Sequence, residues 1–390
     1  MSPASVLLRL AAGVVLAASP FLSAAAELRV VATNGLDVAR PGETVEVPSA
    51  TLSRSFRPEE LALVAVVDAS GRIVLSQSVD TNGDGIADLL VFQADFAPGE
   101  RKTFSLKRGE RPPYRREDFR VYGRFVRERF DDFAWENDRI AHRMYGPALE
   151  TWQKEPLTSS TVDVWTKRTR RLVVNDWYMV DDYHRDHGEG ADLYSAGKSR
   201  GCGGSGVFRA GRLWVSRNFR DSRVLAAGPI RLVFDLVYAA WDAAGKSISE
   251  VKRVTLDAGS HLNRFESAYS SPSGITDLAW AAGIRKVAGS SVRREAAEGW
   301  LRTWEPFKDG NGSLGCAVLA DPASVERFAE ADGNTLVVSK PGAQARTWAG
   351  FGWDRSGDFA SVEAWDAYLQ AFARRIASPI KVEVREVDPK

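Results

Sequence analysis

The chain has 390 residues, 44% hydrophobic and 26% charged, with 52 basic and 51 acidic side chains. Setting aside residues 1–26, whose one charged side chain is Arg9, leaves 51 of each sign. That balance excludes a nucleic-acid partner held by bulk charge and a polybasic membrane surface, but leaves room for a local basic cleft.

Residues 1–26 read as a secretory signal peptide. Arg9 precedes the apolar run LAAGVVLAASPFL, and Ala24, Ala25 and Ala26 supply small residues for cleavage. The run is short and broken at Pro20, no cysteine follows it, and no later segment nears ~18 uninterrupted apolar residues. The expectation is an exported, periplasmic protein without a membrane anchor. The remainder is longer than one core usually supports, so two domains are expected. Oligomeric state is not legible in the sequence.

Residues 27–110 read as a small β-sandwich domain. ELRVVATN, ETVEVPSATL, ALVAVVDASG, RIVLSQSVD, DLLVFQAD and RKTFSLKR are short β-branched runs punctuated by Gly, Pro, Asn and Asp. Between two of them lies Asp80-Thr81-Asn82-Gly83-Asp84-Gly85-Ile86-Ala87-Asp88. Oxygen ligands at Asp80, Asn82 and Asp84, with Asp88 beyond, resemble the start of a calcium loop. The position a bidentate Glu would fill is Val91. Asn-Gly-Asp-Gly is also a strong hairpin turn, and a structural calcium remains the alternative. No other cofactor is implied.

A charged, proline-containing stretch near residues 109–118 marks the boundary to a large domain over 115–390. RRLVVNDWYMV, RLWVSRNF, IRLVFDLVYAAW, ISEVKRVTLD, HLNRFESAYS, CAVLA, NTLVVS and IKVEVREV all read as strands without βαβ alternation, which favours a large antiparallel β-sandwich. One helix stands out near the C-terminus. Ser361 is its N-cap, and Val362, Trp365, Tyr368, Leu369, Phe372 and Ile376 form an apolar stripe before Pro379. The fold class is therefore mainly all-β with a C-terminal helix. Cys202 and Cys316 leave a disulfide and two buried thiols both open.

The stretch Tyr183–Gly204, YHRDHGEGADLYSAGKSRGCGG, concentrates titratable groups among glycines. It holds two of the four histidines. His184 or His187 can serve as general base, with Glu189 or Tyr183 as the complementary acid, because histidine titrates near neutral pH. His184, His187 and Glu189 could also bind a divalent metal, but H-x-x-H-x-E is no established zinc pattern, so no metal site is assigned. Lys198 in the same stretch is a candidate for substrate binding. Residues 133–150, FAWENDRIAHRMYGPALE, form a second constellation. Read as one strand, they place Asn137, Arg139, Arg143 and Tyr145 on one face, where arginine could neutralise a carboxylate and Tyr145 could donate a proton. Trp353, in WAGFGWDRSGDF, is a candidate sugar platform. There is no GxSxG elbow, P-loop or dinucleotide fingerprint.

WENDRIAHRMYGPALE, VDVWTKR, DWY, YHRDHGEGADLYSAGKSRGCGG, VTLDAGSHLNRFE and GWDRSGDF together resemble a bacterial family known as domain of unknown function 4861. The likeness runs from about residue 27 to the end. It implies a β-rich, galactose-mutarotase-like supersandwich and a place in polysaccharide degradation, often beside enzymes for uronic-acid-containing glycans. It carries no catalytic assignments. The leading expectation is an exported carbohydrate-active enzyme acting on a uronic-acid-containing glycan by lyase-type acid/base chemistry. In that reading Arg139 or Arg143 clamps the carboxylate, His184 or His187 is the base, and Tyr145 or Tyr183 is the acid. The alternatives are a glycoside hydrolase, a sugar epimerase or mutarotase-like enzyme, and a non-catalytic glycan-binding protein.

Overall fold

The computed structural model describes residues 28–386, apart from 54, 155 and 181. The expected signal segment lies outside the described residues. No helix among the described residues is long and apolar enough to cross a membrane.

The N-terminal unit is two facing sheets. One runs in the order Lys381–Glu386, Leu28–Thr33, Arg101–Lys107, Ala65–Val67, Ile73–Val74, and the other joins Arg40–Pro48, Leu89–Phe96 and Ser76–Val79. Alternation along the strands aims Leu28, Val30, Val45, Val47, Phe92, Phe104 and Leu106 into a common core. The chain's last strand returns here. Val384 lies opposite Val30 and Val382 opposite Ala32. Residues 381–386 thus leave the large C-terminal unit that the linear pattern drew over 115–390. Pairing with Leu28–Thr33 gives backbone groups at both ends of the described residues a partner, which no local pattern encodes.

In the loop Asp80–Asp88, Asp80 accepts backbone hydrogen bonds from Asn82, Gly83 and Gly85, Asn82 from Asp84, and Asp84 from Ile86. Asp88 accepts from both the amide and the hydroxyl of Thr81. These bonds fold the turn by side chain to backbone contacts.

The rest of the chain is built on an eight-stranded antiparallel sheet. Its order is Asp221–Ala227, Arg231–Asp242, Ser247–Asp257, Leu262–Ser270, Ala345–Trp353, Ser313–Ala320, Trp300–Pro306, Ser291–Glu295. One face sends Phe234, Leu236, Val254, Phe265, Val318 and Phe351 into the main core. Two five-stranded sheets cover that face. The first contributes Phe133, Trp135 and Val164, the second Ile284 and Val337. Cys202 and Cys316 lie in this core as free, buried thiols. Burial and a hydrogen bond donated to Cys202 push the Cys316 thiol up.

The opposite face of the large sheet carries the helix Val362–Ala377. Ser361 caps it, its hydroxyl accepting from the Ala364 amide, as its sequence position predicts. Trp365 and Leu369 pack on Trp300, Ala317 and Leu319. The approach is close enough that a Cβ on Gly315 would sit 2.6 Å from the Trp365 ring and 2.7 Å from that of Trp304. Glycine at that position is what lets the helix lie flat on the sheet.

Candidate active site

The site grows from the first five-stranded sheet, ordered Gly190–Ala191, Asp163–Lys167, Ala141–Met144, Asp132–Asn137, Val121–Val126. Residues 133–145 are a hairpin rather than one strand. Asn137 makes the turn, its side-chain oxygen accepting from the amides of Arg139 and Ile140. Its amide nitrogen donates to the carbonyls of Asp257 and Ser260 at 2.7 Å each. Asn137 is fully buried and pins the hairpin to the large sheet, so it does not face a ligand as the one-strand reading expected. The turn also breaks the common row, because alternation holds only within a continuous strand. Arg139 and Arg143 therefore go to different places.

Arg139 donates to Asp358 at 2.5 Å. Arg170 holds the same carboxylate through two bonds of 2.7 and 2.9 Å, and Nε2 of His261 lies 3.3 Å away. Burial opposes the charge on Asp358, but His261 and Arg170 outweigh it and hold the carboxyl below its ordinary range.

Arg143 is the centre of a buried cluster. It stands opposite Asp163 across the sheet, and its Nε donates to Asp163 at 2.7 Å. Its Nη2 donates to Asp192 at 3.0 Å, and Nη1 lies 3.7 Å from Asp132. The Tyr145 hydroxyl donates to Asp163 at 3.0 Å from a site 4% exposed. Three carboxyls around one guanidinium exceed its charge. Burial consequently raises Asp132 to about 7, although Arg143 opposes the shift. Burial also pushes Asp192 well above the usual carboxylate range. Burial and Asp163 push the Tyr145 phenol up in turn. It serves as a donor behind the guanidinium rather than as an accessible acid.

Asp192 connects this cluster to the surface. Nδ1 of His184 lies 3.1 Å from the Asp192 carbonyl oxygen and 3.5 Å from its carboxylate, while the His184 side chain is 62% exposed. The Asp192 amide donates to the Tyr183 carbonyl, which fixes the loop. The Tyr183 ring stacks on Trp165 at 5.2 Å and meets His184 at 4.5 Å, and the Arg129 guanidinium lies 5.0 Å from its centre. Trp177 stacks on Trp165 at 5.6 Å and extends the aromatic row. Gly190 makes this packing possible: its φ is +113°, and a Cβ there would sit 2.0 Å from the Thr166 carbonyl oxygen.

The other expected site residues lie elsewhere. His187 pairs with Asp182 at 3.0 Å, both exposed. Glu189 is held by Arg171 through two 3.0 Å bonds. Neither is drawn to His184, because each has a nearer opposite charge at the surface. Lys198 is exposed, next to the buried Arg200 and not on this cluster. Trp353 is 1% exposed, and its indole donates to the Asn311 carbonyl at 2.9 Å. It is a core residue, not a platform. Among the described residues, no group of three His, Cys, Asp or Glu is placed to hold a metal ion.

The sequence reading gave Asp192 no role and overlooked Asp132, Asp163, Arg129 and Trp165. Asp163 did carry a signal. An acidic residue inside the otherwise β-prone run Val162–Trp165 has to find a partner if the strand is buried.

The raised Asp132 carboxyl has a measurable consequence. Its folded value, about 7, exceeds its ordinary 3.8, so the folded protein holds this proton more tightly than the unfolded chain. The group's contribution to stability is full below pH ~4 and is lost as pH rises through about 7. Asp132→Asn removes that dependence. Its stability relative to wild type should rise between pH 4 and 8, read from urea midpoints. A pH-independent difference would place the raised carboxyl elsewhere.

Comparison with known proteins agrees with the motif resemblance. The family model described as a domain of unknown function (DUF4861) matches residues 32–382. "Uncharacterized protein P7" of Formosa agariphila is 33% identical over 383 residues, covering 91% of this chain and 93% of that protein. Among solved structures, an alpha-mannosidase from Enterococcus faecalis V583 aligns with a TM-score of 0.48 and 12% identity over 93% of this chain and 46% of that one. A protein in glycosyl hydrolase family 38 from Enterococcus faecalis aligns with a TM-score of 0.48 and 13% identity over 94% and 48%. The chain spans about half the length of these two solved proteins. With 351 of its residues under the family model and a relative alike over nearly its whole length, the chain belongs to the DUF4861 family.

Proposed function

We propose that this protein is an exported carbohydrate-active enzyme that acts on a uronic-acid-containing glycan by lyase-type acid/base chemistry at His184. The observation that carries this reading is the setting of the His184 ring. A carbonyl oxygen can only accept, so Nδ1 facing the Asp192 carbonyl carries the hydrogen. That leaves the lone pair to Nε2, on a side chain that is 62% exposed, as a base that meets a substrate must be. Asp192, fixed by Arg143, orients the ring from behind.

In the proposed reaction His184 removes the proton on the carbon next to the sugar carboxyl group. Arg129, beside the Tyr183 ring, neutralises the carboxylate as charge builds on it. The bond from the neighbouring carbon to the glycosidic oxygen breaks, and Tyr183 protonates that oxygen. The product keeps a carbon–carbon double bond conjugated to the carboxyl group, and water returns the proton on His184 to the Tyr183 phenolate. Arg143 and Tyr145 are positioning residues here, since both are screened from the surface.

The test is incubation with pectic and other uronate glycans, read by absorbance near the ultraviolet edge and by product chromatography. Wild type should generate absorbance. His184→Ala should lose roughly 10²-fold or more of the rate with an unchanged melting temperature, because the side chain is largely exposed. Absence of any absorbance with wild type removes the lyase reading. Release of new reducing ends without absorbance replaces it with hydrolysis.

A further inference from the structure

A groove of about 1040 Å³ lies on the other side of the molecule's large sheet from the main core. Its floor is the outer face of that sheet, its walls the N-terminal unit and the helix Val362–Ala377. Alternation sends Phe265, Ala349 and Phe351 into the core and so turns Arg264, Arg346 and Trp348 outward onto the floor. Six arginines line the groove, Arg120, Arg139, Arg231, Arg264, Arg346 and Arg375, against the acids Glu43, Glu46 and Asp257.

These arginines are not equivalent. Arg231 is 4% exposed and fixed by Asp257 and Glu46, and Arg375 lies 3.4 Å from Glu43. Arg264 and Arg346 are different: both reach the single carboxylate of Glu266, at 3.2 and 2.8 Å. Their side chains remain 32% and 44% exposed. Two guanidiniums thus share one carboxylate and keep part of their donor surface open to solvent. Trp348 is directly opposite Arg264 across the strands, and Arg346 is opposite Glu266. A half-buried indole thus sits beside this arginine pair on one face, with Tyr368 and Phe372 of the helix lining the same groove.

We propose that this groove is a binding site for an acidic oligosaccharide, with Trp348 stacking on a sugar ring and Arg264 and Arg346 taking its anionic group. An aromatic face suits the apolar side of a sugar, and a guanidinium pair suits a planar carboxylate or a sulfate. The site is separate from His184, and its binding does not depend on the reaction proposed there.

The experiment is calorimetric titration of the whole protein with three probes: a tetragalacturonate, a sulfated dextran oligosaccharide and the neutral cellotetraose. The anionic probes should bind and weaken as salt is raised, while the neutral one should bind at least tenfold more weakly. The stronger of the two anions identifies carboxylate or sulfate as the natural group. Arg346→Gln should lower affinity for the anionic probe about tenfold with unchanged melting temperature, and Trp348→Ala should lower it for every probe that binds. Arg346→Gln keeps the test valid should Trp348→Ala loosen the helix. Equal affinity for neutral and anionic probes, no binding by wild type, or an Arg346→Gln variant with wild-type affinity each overturns the proposal. Ultraviolet-absorbing product from a protein whose groove binds nothing would leave the His184 chemistry standing alone.

Discussion

Lys167→Met is expected to destabilise the protein by about 3–5 kcal/mol, the size seen when one partner of a buried ion pair is removed. Both side chains of the Lys167–Glu136 pair are essentially inaccessible, 0% and 1% exposed, and their charged atoms are 2.7 Å apart. Lys167 also donates to the Asn137 carbonyl, and Glu136 accepts from the amides of Val173 and Val174. The carboxylate therefore binds the start of the short helix Val174–Tyr178, whose Tyr178 packs against Trp165. Methionine fills similar space but leaves Glu136 charged with two amides and no cation. Guanidinium unfolding of the variant beside wild type measures the loss. The double variant Lys167→Met/Glu136→Leu should recover part of the loss. A Lys167→Met protein with wild-type stability would mean that water reaches the pair.

Arg143→Met should cost a comparable ~3–5 kcal/mol and should also abolish the proposed activity. It strands Asp163 and Asp192 in sites where each side chain is 1% exposed, with Asp132 close by. Asp192, already pushed up by burial, loses the cation that opposes that shift. Asp192 loses the bond that sets its side chain, so His184 loses its support. The signature is a variant whose stability falls more steeply than wild type's as pH rises from 5 to 8, with kcat reduced more than KM is raised. A purely structural cluster would change stability and leave the turnover of the folded fraction intact. Residual activity equal to wild type per folded molecule would detach Arg143 from the His184 reading.

The two variants mark what sequence could and could not reveal. The stretch Tyr183–Gly204 and the segment 133–150 were both legible as concentrations of chemistry, and Arg143 does meet Asp192 between them. Which members of each segment meet was not legible. Glu136 is tied to a lysine 31 residues away, a pairing that no local pattern encodes. Asn137 read as a ligand-facing amide, yet it closes a turn. His184 and His187 are three residues apart in similar company, but the chain turns one back onto Asp192 and leaves the other with Asp182 at the surface.

The sequence by itself determined the local features. Its β-branched runs with turn residues between them set most of the strands, but the run over residues 170–180, read as a strand, forms a loop and the short helix Val174–Tyr178. The capped apolar stripe set the helix Val362–Ala377, and the Asp80–Asp88 turn followed from its own side chains. Each depends on residues within a few positions of one another, where dihedral preference, periodicity and short-range hydrogen bonds act. Only the tertiary structure decided that Lys381–Glu386 closes the first sheet beside Leu28–Thr33 and that Trp353 is core. Likewise, only the fold gathered Asp132, Asp163 and Asp192 around Arg143. A charge buried among apolar strands needs a partner, but sequence states only the need. The partner is whichever side chain the sheet register brings within reach, and register is a property of the whole sheet.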